Sequence, residues 1–579
     1  MKRTLRLAMA GSMLVFGVAS AQTTELVSLS SANTNVLGWC WYPSLSADAN
    51  YVLFESESEF LVPGDTNKVH DVFVRDRANG QTTRVSVDSS GTEGTDNSFA
   101  RGISADGRYV SFLSTASNLV PGDTNGMNDV FVHDRDTGQT TRVNVDSAGV
   151  QSNGAQNLSA LSANGRYVAF ESWATNLVAG DTNGFADIFV HDRETSQTTR
   201  VSVSSAGGEA DRESRQPAIS ADGRFVAFRS AAANLVPPGT SSLDIYVHDR
   251  QTAQTTRISV DAGGGLANGG SVSPAISADG RHVSFASVAT DLVPGDTNGE
   301  MDVFVRDRMT GQTTRVSVDS SGQQSNSMSM TSVLSADGRY VAFDTYAYNL
   351  VPGQPQGTQG VYVHDRLSGQ TTHVSVSTSG TPSFQDAAQP SLSPDGRFVA
   401  FFSPSGNLVP GDFDTMSDIF LRDRGPERVT PFCASSIAAC PCANVGAEHH
   451  GCATSIYPRG GYLGGYGTPS VAADTFLLQA QEVSGLTTLF YQGDAQMSPA
   501  VLDDGLACVS GSLVRLGVRS NVGAVSSYPQ AGDLSVSVRG LLPLVGGTRY
   551  YQAWYRNALP FCTPATTNRT NGLVVVWAP

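Results

Sequence analysis

An all-β protein, a seven-bladed β-propeller followed by a small disulfide-bonded β-sandwich-like domain, is what the sequence predicts. Three observations predict it. One phrase recurs seven times at a nearly constant step. No long stretch with helical periodicity follows the first 21 residues. Six cysteines gather beyond the last repeat.

The chain opens MKRTLRLAMAGSMLVFGVASAQ. Lys2, Arg3 and Arg6 precede an apolar run from Leu7 to Val18, and Ala19-Ser20-Ala21 supplies the small residues that a signal peptidase reads. The run is short for a span of about 20 residues, so 1–21 reads as a cleaved secretory signal rather than an anchor. No later segment is long and apolar enough to cross a bilayer. The expected location is therefore extracellular, at the cell surface or in the periplasm. The formal charge is −16, and −19 once Lys2, Arg3 and Arg6 leave with the signal. That charge opposes nucleic acid and anionic membranes as partners.

Residues 22–431 carry the repeat. The phrase SADGRYVAF places an Asp or Asn at Asp48, Asp106, Asn164, Asp222, Asp279, Asp337 and Asp395, a step of 58 with a single 57. A second phrase, LVPGDTNGxxDVFVRDR, keeps the step, with its late Asp at Asp71, Asp129, Asp187, Asp244, Asp302 and Asp418 and with Gly360 in the sixth place. TTRVSVDS follows. In the second full copy the four expected strands are 100–104, 108–114, 129–134 and 141–146, with Asp106-Gly107 as a tight turn. Tyr109, Ser111 and Leu113 alternate with Val110 and Phe112, the period of a strand. Four antiparallel strands make a blade, and radial repetition closes a ring. An open stack would need capping repeats, which neither end supplies. Two spare outer strands compete for the last blade. One is 25–29, which sits 58 residues before Arg84-Val85-Ser86-Val87, and the other is 427–430. The sequence does not choose between them.

The phrase P-x-[IL]-S-[AP]-D-G-R-[FY]-V-A-F, clearest at 217–228 and 390–401, resembles the PD40, or TolB-like, propeller repeat over about residues 25–431. Propellers of that kind dock proteins, handle glycans or peptides, or accompany enzymes, so the resemblance implies a fold rather than one function.

The loops before the third strands are the candidate metal sites. Asp65, Asn67 and Asp71 stand at positions 1, 3 and 7, as do Asp123, Asn125 and Asp129, then Asp181, Asn183 and Asp187, and Asp296, Asn298 and Asp302. Asp412, Asp414 and Asp418 form a more acidic version. Calcium takes six to eight hard oxygens, and such loops supply several. Against this, Asp and Asn build metal-free turns by bonding their own backbone, and the seventh-position Asp can pair with a neighbouring Arg. Both readings stay open, and two copies, at 238–242 and 354–360, have lost the set. Arg75, His133, His191, His248, Arg306, His364 and Arg422 share another repeat position. Polar packing beside the following Asp-Arg pair explains that exchange, with a ligand-facing ring as the alternative.

Residues 432–579 form the Cys-rich domain. Cys433, Cys440, Cys442, Cys452, Cys508 and Cys562 are expected to form three disulfides after secretion, and Cys40, alone in the repeat, to be a buried thiol. His449 and His450 beside Cys442 and Cys452 have the residue types of a zinc site, but an oxidising compartment favours disulfides. Strands are expected at 474–480, 487–492, 512–517, 533–538, 549–554 and 573–577. The pieces CPCANVGAEHHGC, DDGLACVSG and YYQAWYRN resemble a Cys-rich C-terminal module of secreted planctomycete and myxobacterial proteins, which implies secretion and no chemistry.

No Gly-x-Ser-x-Gly elbow, His-Glu-x-x-His or phosphate loop is present, and no catalytic residue is assigned. Repeated Asp residues serve every blade alike, whereas catalysis needs one unlike site. The expected function is a secreted, non-enzymatic binding or scaffolding protein with a protein or polysaccharide ligand. The alternatives are an extracellular glycan or peptide hydrolase using a propeller pocket, and a structural cell-surface protein.

Overall fold

The computed structural model describes residues 22–577 except 36, 240–241, 426–428, 433–439, 441–450, 455, 458–459, 467–468, 472–473, 475, 503–504, 523, 531 and 557–566. The expected signal, 1–21, lies outside the described residues, as do Cys433, Cys442, His449, His450 and Cys562. Two compact bodies appear, Gln22–Arg424 and Gly425–Pro579. Among the described residues no helix is long and apolar enough to cross a membrane.

The first body consists of seven four-stranded antiparallel sheets. In the second blade the strands are Ser98–Ile103, Tyr109–Ser114, Asp129–Asp134 and Gln139–Arg142. Five of the eight bounds differ from the sequence reading by one to four residues, and two of these have a clear cause. Ser104 leaves the first strand because its hydroxyl donates to Asp106 at 2.5 Å and accepts from the Tyr109 N–H at 2.8 Å, tying the turn. The fourth strand stops at Arg142 because Val145 turns back to pair with Gln151.

The repeated phrases are joints between blades. Gly107 lies at φ 75°, a conformation that suits glycine, and a Cβ there would meet the Tyr51 ring at 2.1 Å. Arg135 lies over the same ring, 4.3 Å from its centroid, and donates to the Gly107 carbonyl at 2.6 Å. Thus the Gly and Arg of one blade grip the aromatic ring of the preceding blade. Arg108 instead makes a two-pronged pair with Asp134 of its own blade at 2.8 and 2.7 Å. The alternation along 109–113 sorts the core as expected. Val110 and Phe112 pack against Leu53, Val72 and Val74 of the first blade, and Leu113 against Val168 and Phe170 of the third.

Arg75, His133, His191, His248, His364 and Arg422 are buried in the same joints, and Arg306 is half-buried there. The imidazole Nδ1 of His133, His191, His248 and His364 lies 2.9 Å from the hydroxyl of Thr140, Thr198, Thr255 and Thr371. Arg75, Arg306 and Arg422 donate to Thr82, Thr313 and Thr24. Thr140 passes the connection on, donating to the Val87 carbonyl of the preceding blade at 2.5 Å. The column is inter-blade packing through threonine rather than through the adjacent Asp-Arg pair.

The ring closes on itself. The inner strand Cys40–Leu45 packs on Ser98–Ile103 of the second blade and on Ala388–Leu392 of the seventh. Of the two spare strands, Thr23–Leu26 completes the seventh blade, antiparallel to Asp418–Asp423 with Leu26 opposite Phe420. Val429–Phe432 pairs with Gly572–Trp577 in the second body. The sequence after the third strand differs there: other blades follow their Asp-Arg pair with two residues and a third at positive φ, such as Gly80, Gly138, Ser196 or Ala253, whereas Gly425-Pro426 follows Arg424.

The second body has a six-stranded antiparallel sheet, a three-stranded sheet and a hairpin. Leu463 and Leu478 of the smaller sheet share a core with Phe490, Tyr551 and Val575 of the larger, which is sandwich packing. One expected strand is a helical turn: Val536–Arg539, between Ser535 and Gly540 as caps. Its apolar alternation misleads, since Val536 is buried while Leu534 and Val538 are exposed. The strands Tyr462–Tyr466, Ala495–Leu502, Gly505–Ser510, Ser526–Tyr528 and Thr567–Arg569 were not expected from the sequence. Cys440 and Cys452 form a disulfide, Cys508 is also disulfide-bonded, and Cys40 is a free buried thiol. Alkylation of the native, unreduced chain is therefore expected to leave Cys440, Cys452 and Cys508 unlabelled and to reach Cys40 only after unfolding. Mass spectrometry of native and unfolded samples checks this, and native labelling of Cys440 or Cys452 contradicts it.

Candidate functional site

Each acidic loop is held between the second and third strands of its blade, and the fourth strand runs beside it. In the first blade Asp65, Asn67 and Asp71 come together, but not as three free oxygens. Asn67 turns its amide N–H to Asp71 at 2.9 Å, and its own oxygen accepts from the Val69 N–H. Asp71 also accepts from Ser86 at 2.5 Å. Arg84, from the outer strand, reaches in and lies 3.2 Å from both Asp65 and Asp71 and 2.8 Å from Glu93. The arrangement repeats with Arg142 between Asp123 and Asp129, Arg200 between Asp181 and Asp187, and Arg315 between Asp296 and Asp302. Asn125, Asn183 and Asn298 likewise donate to the seventh-position Asp. Burial, then the neighbouring Asp71 or Asp187, pushes Asp65 and Asp181 up to about 6 despite the guanidinium.

The fourth and sixth blades keep charge in step. Asp244 remains with Arg257 in the fourth, at 3.4 Å. In the sixth, Gly360 replaces the Asp and His373 replaces the Arg, stacking on Tyr362 at 4.6 Å. The seventh blade differs. Asp412, Asp414 and Asp418 converge, with one oxygen of each within 4.8 Å of the others. Asp414 accepts from the Met416 N–H at 2.9 Å, and Asp418 from Ser28 at 2.5 Å. Leu26 occupies the place of Arg84, since Leu26 faces Phe420 as Arg84 faces Phe73. Burial, reinforced by the neighbouring carboxylates, pushes Asp412 up to about 6 and Asp418 to about 7. Burial first, and Asp418 and Asp414 after it, also raise the Cys40 thiol.

Symmetry breaks again on the first two blades, at positions the repeat did not flag. Trp39 and Trp41 stack at 6.0 Å with planes 7° apart, Trp41 stacks on His70 at 5.3 Å, and His70 lies 5.8 Å from Phe99. The Arg101 guanidinium lies 5.6 Å from the Tyr42 ring and 6.0 Å from Phe99. Trp39 is 39% and Tyr42 46% exposed. The repeat places Asn157, Arg215, Val272, Met330 and Ala388 where Trp41 and Phe99 stand, so the row belongs to two blades only. The signal in the sequence was a departure from the repeat, which a search for repeated motifs passes over.

The unlike buried carboxylates serve the backbone. Glu55 accepts the Ala100 N–H at 2.8 Å, Glu171 the Gln216 N–H at 3.1 Å, and Asp344 the Thr331 and Gln389 N–H groups at 2.9 and 3.0 Å. Glu55, Glu171 and Asp344 thus each support the bulged inner strand of the following blade. Burial pushes Glu55 up to about 7, with Arg101 and the Ala100 N–H opposing.

No family model matches the chain, and no curated protein sequence matches it. Solved structures do. An oligogalacturonate lyase from Vibrio parahaemolyticus aligns at 15% identity and a TM-score of 0.43 over 70% of this chain and 98% of its own. TolB from Acinetobacter baumannii aligns at 16% identity and a TM-score of 0.32 over 65% of this chain and 81% of its own. A putative TolB from Agrobacterium tumefaciens gives 16% identity and a TM-score of 0.31 over 51% and 89%.

Proposed function

We propose that the chain is a secreted, non-enzymatic binding or scaffolding protein whose propeller docks a neutral polysaccharide on the aromatic row of its first two blades. The observation that carries this is the row itself: Trp39, Trp41, His70 and Phe99 in successive ring contacts, flanked by Arg101 and Tyr42. Flat aromatic faces with polar edges suit a ligand that is apolar on its ring faces and hydroxylated at its rims. A net charge of −16 disfavours polyanions, which narrows the ligand to neutral chains. Glu55, Glu171 and Asp344, the acids that differ between blades, are occupied by backbone N–H groups, which supports binding over hydrolysis. The Cys440–Cys452 disulfide supports an oxidising location, whether extracellular, cell-surface or periplasmic.

Titration with soluble β-glucan, xylan and mannan, followed by tryptophan fluorescence, tests the reading. At least one polymer is expected to change the emission, and Trp39→Ala or Tyr42→Ala to weaken its binding about tenfold or more, near the energy of a well-packed aromatic contact. No response to any of the three, or equal binding by both variants, overturns it. A protein partner, which also favours Trp, Tyr and Arg, would then be the use of this face.

A further inference from the structure

The acidic loops carry a guanidinium against their carboxylates in five blades, neither charge in the sixth, and carboxylates without a guanidinium in the seventh. Four blades set a guanidinium between two carboxylates, the fourth blade keeps one of each, and the sixth has lost both. The seventh keeps Asp412, Asp414 and Asp418, and none of the three pairs with a Lys or Arg among the described residues. The reason is topological. Every other outer strand is a copy of Gln-Thr-Thr-Arg or Gln-Thr-Thr-His, but the strand that closes the ring is Thr23–Leu26 from the other end of the chain, and it ends in leucine.

A second feature points into the cluster. Asp412 is 5% and Asp418 2% exposed, yet Asp412 Oδ1 and Asp418 Oδ2 receive no hydrogen bond. A buried, unpartnered carboxylate oxygen is costly. Asn35, in the place of Glu93, has its Nδ2 3.4 Å from Asp414 and its Oδ1 also without a donor. Rotation of that amide exchanges donor for acceptor and turns a fourth oxygen toward the carboxylates.

We propose that Asp412, Asp414 and Asp418, joined by Asn35 Oδ1, bind a single calcium ion that does for the seventh blade what arginine does for five of the others. The donors are all oxygen and lie in an irregular loop, which suits calcium. Water and carbonyls fill the remaining places of its six- to eight-oxygen shell, whereas magnesium demands a smaller, regular octahedron. The ion joins the two ends of the ring. Asn35 and Ser28, which holds Asp418, belong to its first residues, and 412–418 to its last loop. Calcium thus strengthens the closure between the ends of the propeller chain.

The test uses the full chain, stripped with chelator and titrated with calcium chloride in a calorimeter. One calcium per chain is expected, with a melting temperature that rises with calcium and responds less to magnesium. Asp414→Asn, which restores the residue found at Asn67 and Asn125, is expected to weaken binding at least tenfold. Leu26→Arg supplies the missing guanidinium and is expected to abolish binding while melting no lower than the calcium-free parent. Asp123→Asn is expected to leave the stoichiometry unchanged. Absence of both binding heat and a melting shift at millimolar calcium overturns the proposal. So does a stoichiometry of four or five, or one ion that survives both Asp414→Asn and Leu26→Arg. Should Leu26→Arg not fold, Asp414→Asn decides alone, since asparagine is the natural residue there in four sister loops.

Discussion

Deleting residues 22–30 will stop the propeller from closing. This segment supplies the outer strand of the seventh blade and nothing else in the chain substitutes for it, since Val429–Phe432 is held in the second body. The deletion removes buried Val27, whose burial is worth about 2 kcal/mol. It also strips Arg422 of two partners, Thr24 at 3.0 Å and Gln22 at 2.9 Å, and strips Asp418 of Ser28. Each buried group left without its partner costs about 1–3 kcal/mol, more where it is charged. Together these losses approach the roughly 5–15 kcal/mol that stabilises a typical domain. The exposed edge of Asp418–Asp423 then becomes a template for intermolecular pairing. The expected result is loss of near-ultraviolet circular dichroism from the propeller and elution as aggregates, with partial rescue by a synthetic 22–35 peptide. A deleted chain that stays monomeric and melts within a few degrees of the parent would falsify this account of closure.

Acid will withdraw two stabilising contributions from the propeller in stages, the first of them well above the carboxylate range. Burial lowers His133 and His191, and it lowers His248, His364 and His373 to about 4 from an ordinary value near 6.5. The folded state holds these imidazoles neutral while the unfolded chain protonates near 6.5, so protons favour unfolding. The stability these imidazoles confer is whole above about pH 6.5 and falls as pH drops toward 4, by roughly 3 kcal/mol each for His248 and His364. Glu55, Asp65, Asp181, Asp412 and Asp418, raised to about 6 or about 7, act in the opposite sense and stabilise the fold as they take up protons over the same range. A second stage follows at lower pH. The Arg108 and Arg166 pairs hold Asp134 and Asp192 below the usual carboxylate range, and that contribution is lost as the pH falls below about 4. The double variant His248→Arg, His364→Arg takes the residue that Arg306 and Arg422 already carry, so it should fold and lose the share of the first stage that those two histidines carry. Denaturant melts between pH 7 and 4 measure this. An unchanged slope in the double variant would show that the histidines are not the cause.

Some of the acidic-loop chemistry was legible before the structure and some was not. The recurrence of Asp65, Asn67 and Asp71 every 58 residues located the loops, and turn chemistry foretold that Asn67 would engage its own backbone, as its bond from Val69 does. An arginine partner for the seventh-position Asp was one reading the sequence left open, but which arginine was not legible. Arg84 lies 13 residues beyond Asp71 and reaches it only because the third and fourth strands pair in that register. In the same way, Trp41, His70 and Phe99 are far apart in the chain and meet only when the first two blades pack.

What the sequence determined by itself is the blade. In six of the seven blades all four strands lie within one repeat, their faces alternate with period 2, and their turns carry residues such as Gly107 whose conformation is written in the local sequence. Tertiary structure alone decided the closure. Ser28 and Asp418 are separated by 390 residues, and no periodicity relates them. The choice between Thr23–Leu26 and Val429–Phe432 followed from which edge each could reach, and it placed Leu26, not an arginine, beside three carboxylates. Local chemistry repeats and is readable at every copy. The seam exists once, depends on distant residues meeting, and is where this protein departs from its own pattern.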